Sequence, residues 1–253
     1  MTESLSFRAG ADDSAGPAVQ TTQTAGIHGV PLAVSRPAGD DEPAAGIVLI
    51  QDALGMAPPM IEATRRLARQ GYLTVAPHLY HRTTDEWFTD FEPARAHMAK
   101  LNGAELAHDI ADAREYLDAS GIPSSAVGIV GFCMGGTVSL WQAASGDFAA
   151  SVTFYGGGVA QERWPGVPTG LESGAELRCP WLGLYGDLDR SITVEQVEQL
   201  RGIVAGTGFP TSIVRYANAG HAFSTDPDAA TYVADAAEDS WAHAIGWFDA
   251  HLR

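Results

Sequence analysis

Short runs of apolar residues, separated by longer amphipathic segments, dominate the pattern of hydrophobic and polar positions along the chain. The runs cover residues 45–50, 72–77, 126–130, 150–155, 181–185 and 211–216. Short, continuously apolar runs of this kind are typical of strands that are buried on both faces of a sheet. The pattern therefore predicts a parallel sheet whose strands are covered from both sides.

Helical periodicity fills most of the segments between these strands. Apolar side chains recur at helical spacing within residues 58–70, 106–117, 134–145, 193–205 and 232–248. Ahead of the first apolar run, residues 18–39 read as two short antiparallel strands that meet near Gly26–Gly29. Strands that alternate with helices of this length predict an α/β fold, with a mostly parallel central sheet between two layers of helices, a three-layer αβα arrangement.

The chain is predicted to form a single domain over residues 18–253, preceded by a flexible tail at residues 1–17 that is rich in Ala, Gly, Asp and Ser. A length of 253 residues is ordinary for one α/β domain. Residues 78–103 and 156–178 lack helical periodicity and are predicted to be irregular loops. No internal repeat or interdomain linker interrupts the pattern.

The charge of the chain argues against polyanionic partners. Its 31 acidic and 15 basic residues give a net charge of −16, and Lys100 is the only lysine. Such a surface repels nucleic acid and anionic lipid, so neither is expected as a partner. The N-terminus lacks the apolar segment of a secretory signal, and Cys133 and Cys179 do not make a disulfide framework. We therefore expect a cytoplasmic protein with free thiols that is a monomer or a homodimer.

Three of the predicted strand ends carry the residue types that nucleophilic catalysis needs. Cys133 lies in "GFCMGG", Asp189 ends "YGDLD", and His221 lies in "AGHAF". The first motif has the G-x-S-x-G spacing of a nucleophile elbow, with cysteine in place of serine. The order nucleophile, acid, histidine is the one found in the α/β-hydrolase fold. Together they predict a catalytic triad at the carboxyl edge of the sheet.

Each of these signals also has an ordinary structural explanation. G-x-C-x-G is a common turn, and its cysteine can be a small core residue. Asp187 or Asp189 can cap the helix predicted to begin near Thr193, and single histidines are more often packed or exposed than catalytic. The coincidence of three suitable residue types, in order and at three strand ends, favours the triad.

The chain resembles the dienelactone hydrolase family from about residue 25 to its C-terminus. Besides the three strand-end motifs, the resemblance rests on "IVLIQDALGM" and "GYLTVAPHLYHR". It implies an α/β-hydrolase that cleaves a small ester or lactone through a thioester, without a metal or an organic cofactor. It also implies these roles: Cys133 as nucleophile, His221 as base, Asp189 as its orienting acid, and the N–H groups of Ala53 and Met134 as the oxyanion hole.

Two departures from the family pattern bear on regulation and substrate. Asp52 occupies the place of a family glutamate that contacts the resting cysteine, and it either gates the thiol or only hydrogen-bonds its loop. Of the two family arginines that hold a substrate carboxylate, Arg82 matches one and Thr225 replaces the other. Arg163 or Arg190 would have to supply the missing charge, and Arg82 is alternatively a structural anchor.

The long loops are expected to wall the substrate pocket. Trp87, Trp164 and Phe223 are the predicted apolar contacts of the substrate, although local packing of the loops is the alternative for each. Two further functions stay open besides a dienelactone-type hydrolase. One is a carboxylesterase or thioesterase without preference for dienelactone, and the other is a redox-sensing or binding module on a hydrolase fold.

Overall fold

The computed structural model describes residues 18–39 and 42–253. The tail predicted for residues 1–17 lies outside the described residues. Among the helices within the described ranges, none combines the length and the apolar character needed to span a bilayer.

Eight strands form one sheet, and the predicted α/β fold is confirmed. The strands are β1 (Val19–Ala25), β2 (Pro31–Pro37), β3 (Gly46–Ile50), β4 (Leu73–Pro77), β5 (Val127–Phe132), β6 (Ala150–Phe154), β7 (Trp181–Gly186) and β8 (Thr211–Tyr216). Their order in the sheet is β1-β2-β4-β3-β5-β6-β7-β8. The pairs β1–β2 and β2–β4 are antiparallel, and all other neighbours are parallel.

Seven α-helices are present in the described residues. They are α1 (Pro58–Arg69), α2 (Phe91–Met98), α3 (Gly103–Ala119), α4 (Met134–Gln142), α5 (Gly170–Ala175), α6 (Val194–Val204) and α7 (Ala234–Leu252).

The helices α2 and α5 correct the prediction of irregular loops. Helix α2 buries only Ala94, so it leaves no periodic apolar stripe to detect. Helix α5 begins with a capping box in which Thr169 and Glu172 satisfy each other's backbone N–H groups. That T-x-x-E pattern is visible in the sequence, and it was the missed signal.

Strand β6 shows how the two helix layers are arranged. Phe154 points to one face, where its ring lies 5.3 Å from that of Trp241 in α7. Thr153 points to the other face, where its hydroxyl lies 2.9 Å from that of Ser139 in α4. Because successive side chains of a strand alternate between faces, α7 and α4 cover opposite sides of the sheet.

The parallel strands bring their carboxyl ends to one edge of the sheet. β5, β6, β7 and β8 lie side by side in this order, so the ends of β5, β7 and β8 lie along one stretch of this edge. Ligands of open α/β sheets bind beyond such an edge. The residues that follow these strands are therefore the first place to look for a site.

Candidate active site

Cys133 occupies a tight, strained turn between β5 and α4. Its backbone has φ 54° and ψ −110°, values that L-residues adopt rarely. The Cys133 N–H donates to the carbonyl of Phe154 at 3.0 Å, which ties the turn to the end of β6. Strain of this kind persists only where surrounding structure holds it in place, and it is common at functional sites.

The glycines around Cys133 are required by close backbone approach. A Cβ atom on Gly131 would collide with the carbonyl of Gly135, and one on Gly135 would collide with the carbonyl of Ile50 in β3. A Cβ atom on Gly136 would lie 2.6 Å from the carbonyl oxygen of Phe154. The elbow is therefore pressed against both neighbouring strands, and only glycine fits at these positions.

His221 and Asp189 form the second part of the site. His221 follows β8 and its Nδ1 lies 2.6 Å from Oδ2 of Asp189, which follows β7. The other carboxylate oxygen of Asp189 accepts from the backbone N–H and the hydroxyl of Ser191, both at 2.7 Å. Because both oxygens of the Asp189 carboxylate accept hydrogen bonds, the carboxylate is held in place and in turn fixes the orientation of the imidazole.

The neighbouring aspartate serves another purpose. Asp187 accepts from Nε and Nη2 of Arg215 at 2.7 and 2.9 Å, so it joins β7 to β8. Asp189 is the predicted partner of His221, and the structure brings Asp189, not Asp187, to the imidazole.

The electrostatics of the pair favour a protonated imidazole. Burial lowers the pKa of His221, but its hydrogen bond to Asp189 and its interaction with Cys133 outweigh this effect and raise the pKa to about 10. Burial raises the pKa of Asp189, yet the hydrogen bonds from His221 and Ser191 bring it below its usual value. Asp189 and Cys133 therefore stabilise the protonated form of His221, an imidazolium.

Tyr155 supports His221 from behind and was not identified from the sequence. Its ring meets the imidazole edge-on with the centroids 5.2 Å apart, and its hydroxyl lies 3.1 Å from that of Ser224. Tyr155 is fully buried. Its backbone has a positive φ of 39°, and Ala222, the residue after His221, also has a positive φ, of 56°. No sequence motif marks Tyr155, because its role depends on contact with a residue far along the chain.

Cys133 and His221 open into one cavity of about 520 Å³. Its walls come from the loop after β3, the segment around α2, the start of α4 and the loops after β6, β7 and β8. The lining residues are Asp52, Ala53, Leu54, Thr89, Asp90, Phe91, Met98, Cys133, Met134, Thr137, Gly157, Arg163, Trp164, Ser191, His221 and Ala222.

The predicted oxyanion donors lie at the cavity wall. Met134 is the first residue of α4, so its N–H has no acceptor within the helix. Within the described ranges, no protein group accepts from the N–H of Ala53. Tyr80 holds this region together, because its hydroxyl donates to the carbonyl of Ala53 at 3.0 Å and lies 3.4 Å from the sulfur of Met134.

Asp52 lies in the same cavity as Cys133. Its Oδ1 accepts from the N–H of Leu54 at 2.8 Å, and Asp52 also forms a short bridge with Gly55. Burial raises the pKa of Asp52 to about 6, although the hydrogen bond from Leu54 and the charge of His221 oppose the shift. A carboxyl with this pKa changes its charge within a physiological range of pH.

The structure places only one of the predicted substrate contacts in the cavity. Trp164 lines it, whereas Arg82, Trp87 and Phe223 do not. Arg82 donates to both oxygens of the buried Asp109 at 2.7 Å, so its guanidinium is engaged with α3. The sequence could not reveal this, because the partner of Arg82 lies on a helix predicted independently of it.

Trp87 and Phe223 do not line the cavity because one lies at the surface and the other in the core. Trp87 is 39% exposed at the surface of its loop. Phe223 is completely buried, with its ring 5.4 Å from that of Tyr155 and 5.1 Å from that of Tyr216. The loop helix α2 supplies Phe91 and Met98 to the cavity instead.

The site has no evident place for a metal ion. Over residues 18–39 and 42–253, no three His, Cys, Asp or Glu side chains are arranged so that they could bind one.

Comparisons with known proteins identify the family of the chain. The family model of the dienelactone hydrolase family matches residues 32–252. The chain belongs to the dienelactone hydrolase family. The predicted family membership and the α/β-hydrolase fold are thus confirmed, and the chain is a hydrolase of this family.

Two curated relatives cover nearly all of the chain. One is the Escherichia coli K12 protein named "Putative carboxymethylenebutenolidase", which is 30% identical over 98% of this chain and 96% of its own length. The other is the "Carboxymethylenebutenolidase" of Rhodococcus opacus, which is 30% identical over 92% of this chain and 91% of its own.

A solved structure from the dienelactone hydrolase family shows the same fold. It is described as a putative dienelactone hydrolase from Klebsiella pneumoniae, with a TM-score of 0.84 and 29% identity. The similarity covers 92% of this chain and 99% of the other.

Proposed function

We propose that this protein hydrolyses a small ester or lactone, with Cys133 as nucleophile, His221 as base and Asp189 as the orienting acid. One observation carries the proposal. Cys133, in its strained turn, and His221, whose Nδ1 lies 2.6 Å from Asp189, line the same cavity of about 520 Å³. A cavity of this size accommodates a small organic substrate.

The first step is attack on the substrate carbonyl. The thiolate and not the thiol is the nucleophile, so the proton of the Cys133 thiol has to pass to a base. His221 takes the proton of the Cys133 thiol, and the sulfur forms a bond to the carbonyl carbon while the carbonyl π bond becomes an oxyanion. Asp189 stabilises the resulting imidazolium, which agrees with the raised pKa of His221.

The oxyanion then needs donors that already point toward it. The N–H groups of Ala53 and Met134 are the proposed pair, and each donor of this kind contributes about 2.7–4 kcal/mol to the transition state. Collapse expels the alkoxide oxygen, which takes the proton from His221, and leaves a thioester on Cys133. Water, deprotonated by His221, hydrolyses the thioester and releases the acid and the free thiol. In a lactone both products are ends of one molecule.

A carboxylesterase or thioesterase without preference for dienelactone is the second candidate. Two observations favour it over a strict dienelactone enzyme. Arg82 is committed to Asp109, and Thr225, which replaces the second family arginine, has no charge. Neither residue lines the cavity. An uncharged ester would lose little by their absence.

A redox-sensing role has no support from the positions of the cysteines. Cys133 follows the carboxyl end of β5, whereas Cys179 precedes the amino end of β7, and the two strands are aligned through β6. Strand geometry separates them by roughly 20 Å. A disulfide needs Cα atoms within about 7 Å. Burial raises the pKa of Cys179 to about 12, which makes it a poor resolving thiol.

The test compares kcat/KM for dienelactone with kcat/KM for p-nitrophenyl acetate, using Cys133→Ala as the blank and Cys179→Ala as the matched control. We expect Cys133→Ala to lower kcat at least a thousandfold and Cys179→Ala to leave it nearly unchanged. Near-normal turnover by Cys133→Ala would refute the proposal. A preference for dienelactone of about a hundredfold, some 2.7 kcal/mol, would exclude the second candidate. A cytoplasmic location and a monomeric or homodimeric state stay predictions.

A further inference from the structure

We propose that Arg163 is the residue that selects substrates with an anionic group in this site. The inference rests on the proposed function and names a specificity residue for it. Of the side chains that line the cavity within the described ranges, Arg163 is the only arginine or lysine. It lies in the loop after β6, on a different wall from the segment that carries Arg82.

Arg163 is held against the cavity wall by a close approach to two glycines. A Cβ atom on Gly157 would lie 2.6 Å from Nη2 of Arg163, and one on Gly158 would lie 2.8 Å from its Cγ. The absence of side chains at these positions lets the arginine lie flat along the loop. The side chain of Arg163 is therefore packed along the backbone of this loop, and the residue remains exposed to solvent at the mouth of the cavity.

The loop beneath Arg163 is itself fixed at three points. Thr137, in the first turn of α4 after Cys133, donates to the carbonyl of Gly157 at 2.8 Å. The N–H of Gly170 donates to the carbonyl of Gly158 at 2.9 Å. Beyond Arg163, the buried Trp164 donates from Nε1 to the carbonyl of Met98 at 2.8 Å. Preorganisation of this kind reduces the entropy lost on binding a ligand.

The guanidinium also lacks an internal partner. Arg82 and Arg215 form bidentate pairs with Asp109 and Asp187, but over the described residues no carboxylate forms an ion pair with Arg163. A planar, permanently charged fork with free donors suits a carboxylate or another oxyanion.

Arg163 also lines a second cavity, next to the first. This cavity has a volume of about 380 Å³ and shares Arg163 and Ser191 with the first cavity. Arg163 thus stands at the boundary between the space over Cys133 and an adjoining space. A substrate whose scissile carbonyl reaches Cys133 can place its anionic end at this boundary.

The experiment uses matched pairs of charged and neutral esters with the full-length protein. For charge in the acyl group, the p-nitrophenyl monoester of glutaric acid is compared with p-nitrophenyl pentanoate. For charge in the leaving group, 4-acetoxybenzoate is compared with 4-methylphenyl acetate. The readout is the ratio of kcat/KM for the charged ester to that for the neutral ester, measured in the wild type, Arg163→Gln, Arg163→Lys and Arg190→Gln.

We expect Arg163→Gln to lower this ratio about tenfold in at least one pair, as loss of a hydrogen bond to a charged group should. Arg163→Lys should restore part of it, and added salt should reduce the wild-type ratio. Arg190, exposed and outside the cavity lining, is the matched control and should leave the ratio unchanged. A fall of less than threefold in both pairs, or an equal fall in Arg190→Gln, would overturn the proposal. Circular dichroism of each variant controls for unfolding.

A second readout needs no turnover. Iodoacetate and iodoacetamide alkylate a thiol in the same way and differ in charge, and Cys133 is the accessible cysteine because Cys179 is buried. The ratio of their rates at Cys133 should fall in Arg163→Gln and not in Arg190→Gln. Cys133-dependent turnover without any effect of Arg163 would refute this inference alone. Absence of turnover in the wild type, with the alkylation ratio dependent on Arg163, would refute the proposed function alone.

Discussion

The residues that follow β5, β7 and β8 differ from the two long connecting segments in what determines their positions. Cys133, Asp189 and His221 each follow the end of a parallel strand, and the sheet brings those ends together. Much of the cavity wall comes from residues 78–103 and 156–178, which contact each other through the hydrogen bond from Trp164 to the carbonyl of Met98. Strand topology therefore places the three candidate catalytic groups, whereas long-range packing decides what surrounds them.

The largest effect should come from separating the two aspartates that follow β7. Asp189→Asn keeps the shape of the side chain but disfavours the required tautomer and stabilises the imidazolium less, so we expect kcat to fall by a factor approaching 10⁴. Asp187→Asn should lower kcat less than about tenfold, since Asp187 pairs with Arg215 and not with His221. Steady-state kinetics with p-nitrophenyl acetate measures both.

The reverse order of these effects would mean that the carboxylate acting on His221 is not the one found at 2.6 Å. Circular dichroism of both variants controls for unfolding, because Asp187→Asn also weakens the link between β7 and β8.

The second prediction concerns the backbone of the elbow. A Cβ atom on Gly131 would collide with the carbonyl of Gly135, and both groups are backbone atoms that cannot move aside. We expect Gly131→Ala to lower the free energy of unfolding by at least about 3 kcal/mol and to abolish activity. Urea denaturation followed by tryptophan fluorescence measures the change.

Gly202 provides the matched control. It lies in α6, where a Cβ atom would meet nothing within 4 Å. Gly202→Ala should therefore stabilise the protein by about 0.5–1 kcal/mol, because alanine has the better helix propensity. Equal effects of the two substitutions would show that the elbow is not held by close backbone contact.

The sequence was sufficient for the fold and for the candidate triad because both depend on local patterns. Apolar runs identify strands, and G-x-C-x-G identifies a turn that only glycines permit. The sequence did not predict the surroundings of Arg82 and Phe223. Arg82 pairs with Asp109 on α3, and Phe223 is buried between two tyrosines. Tyr155 behind the histidine was likewise not identifiable, because contacts between distant residues leave no periodicity in the chain.

The third prediction tests whether Arg82 is a structural residue. Its removal leaves Asp109, only 1% exposed, with the weaker contacts of His81 and His108 at 3.4 and 3.3 Å. We expect Arg82→Gln to destabilise the protein by about 1–3 kcal/mol, less than for a fully buried pair because Arg82 is partly solvated. The kcat/KM of the folded fraction should change less than about threefold.

Arg36→Gln is the comparison for this measurement. Arg36 pairs with Glu42 at the surface, with exposures of 37% and 78%, and such pairs contribute at most about 1 kcal/mol. A loss of activity toward anionic esters in Arg82→Gln, without a loss of stability, would instead place Arg82 in the substrate site.

The smallest effect is expected from Asp52, whose pKa in the folded protein is raised from 3.8 to about 6 by burial. Between these two values the folded state binds the proton more tightly than the unfolded state. The stability that protonated Asp52 contributes is therefore fully present below pH 3.8 and is lost as the pH rises through about 6. At neutral pH the buried Asp52 carboxylate should therefore destabilise the folded protein.

Asp52→Asn removes the charge while its amide oxygen can still accept from the N–H of Leu54. We expect the variant to match the wild type near pH 4 and to exceed it by about 2 kcal/mol at pH 8, in urea unfolding across that range. Asp147→Asn, at an exposed aspartate, is the control for the substitution itself. A pH-independent difference for Asp52→Asn would mean that the carboxyl is already ionised at pH 4. In that case the positive charge of His221 would stabilise the Asp52 carboxylate by more than burial destabilises it. A carboxylate that stays ionised over this whole range of pH could not act as a pH-dependent gate for the Cys133 thiol.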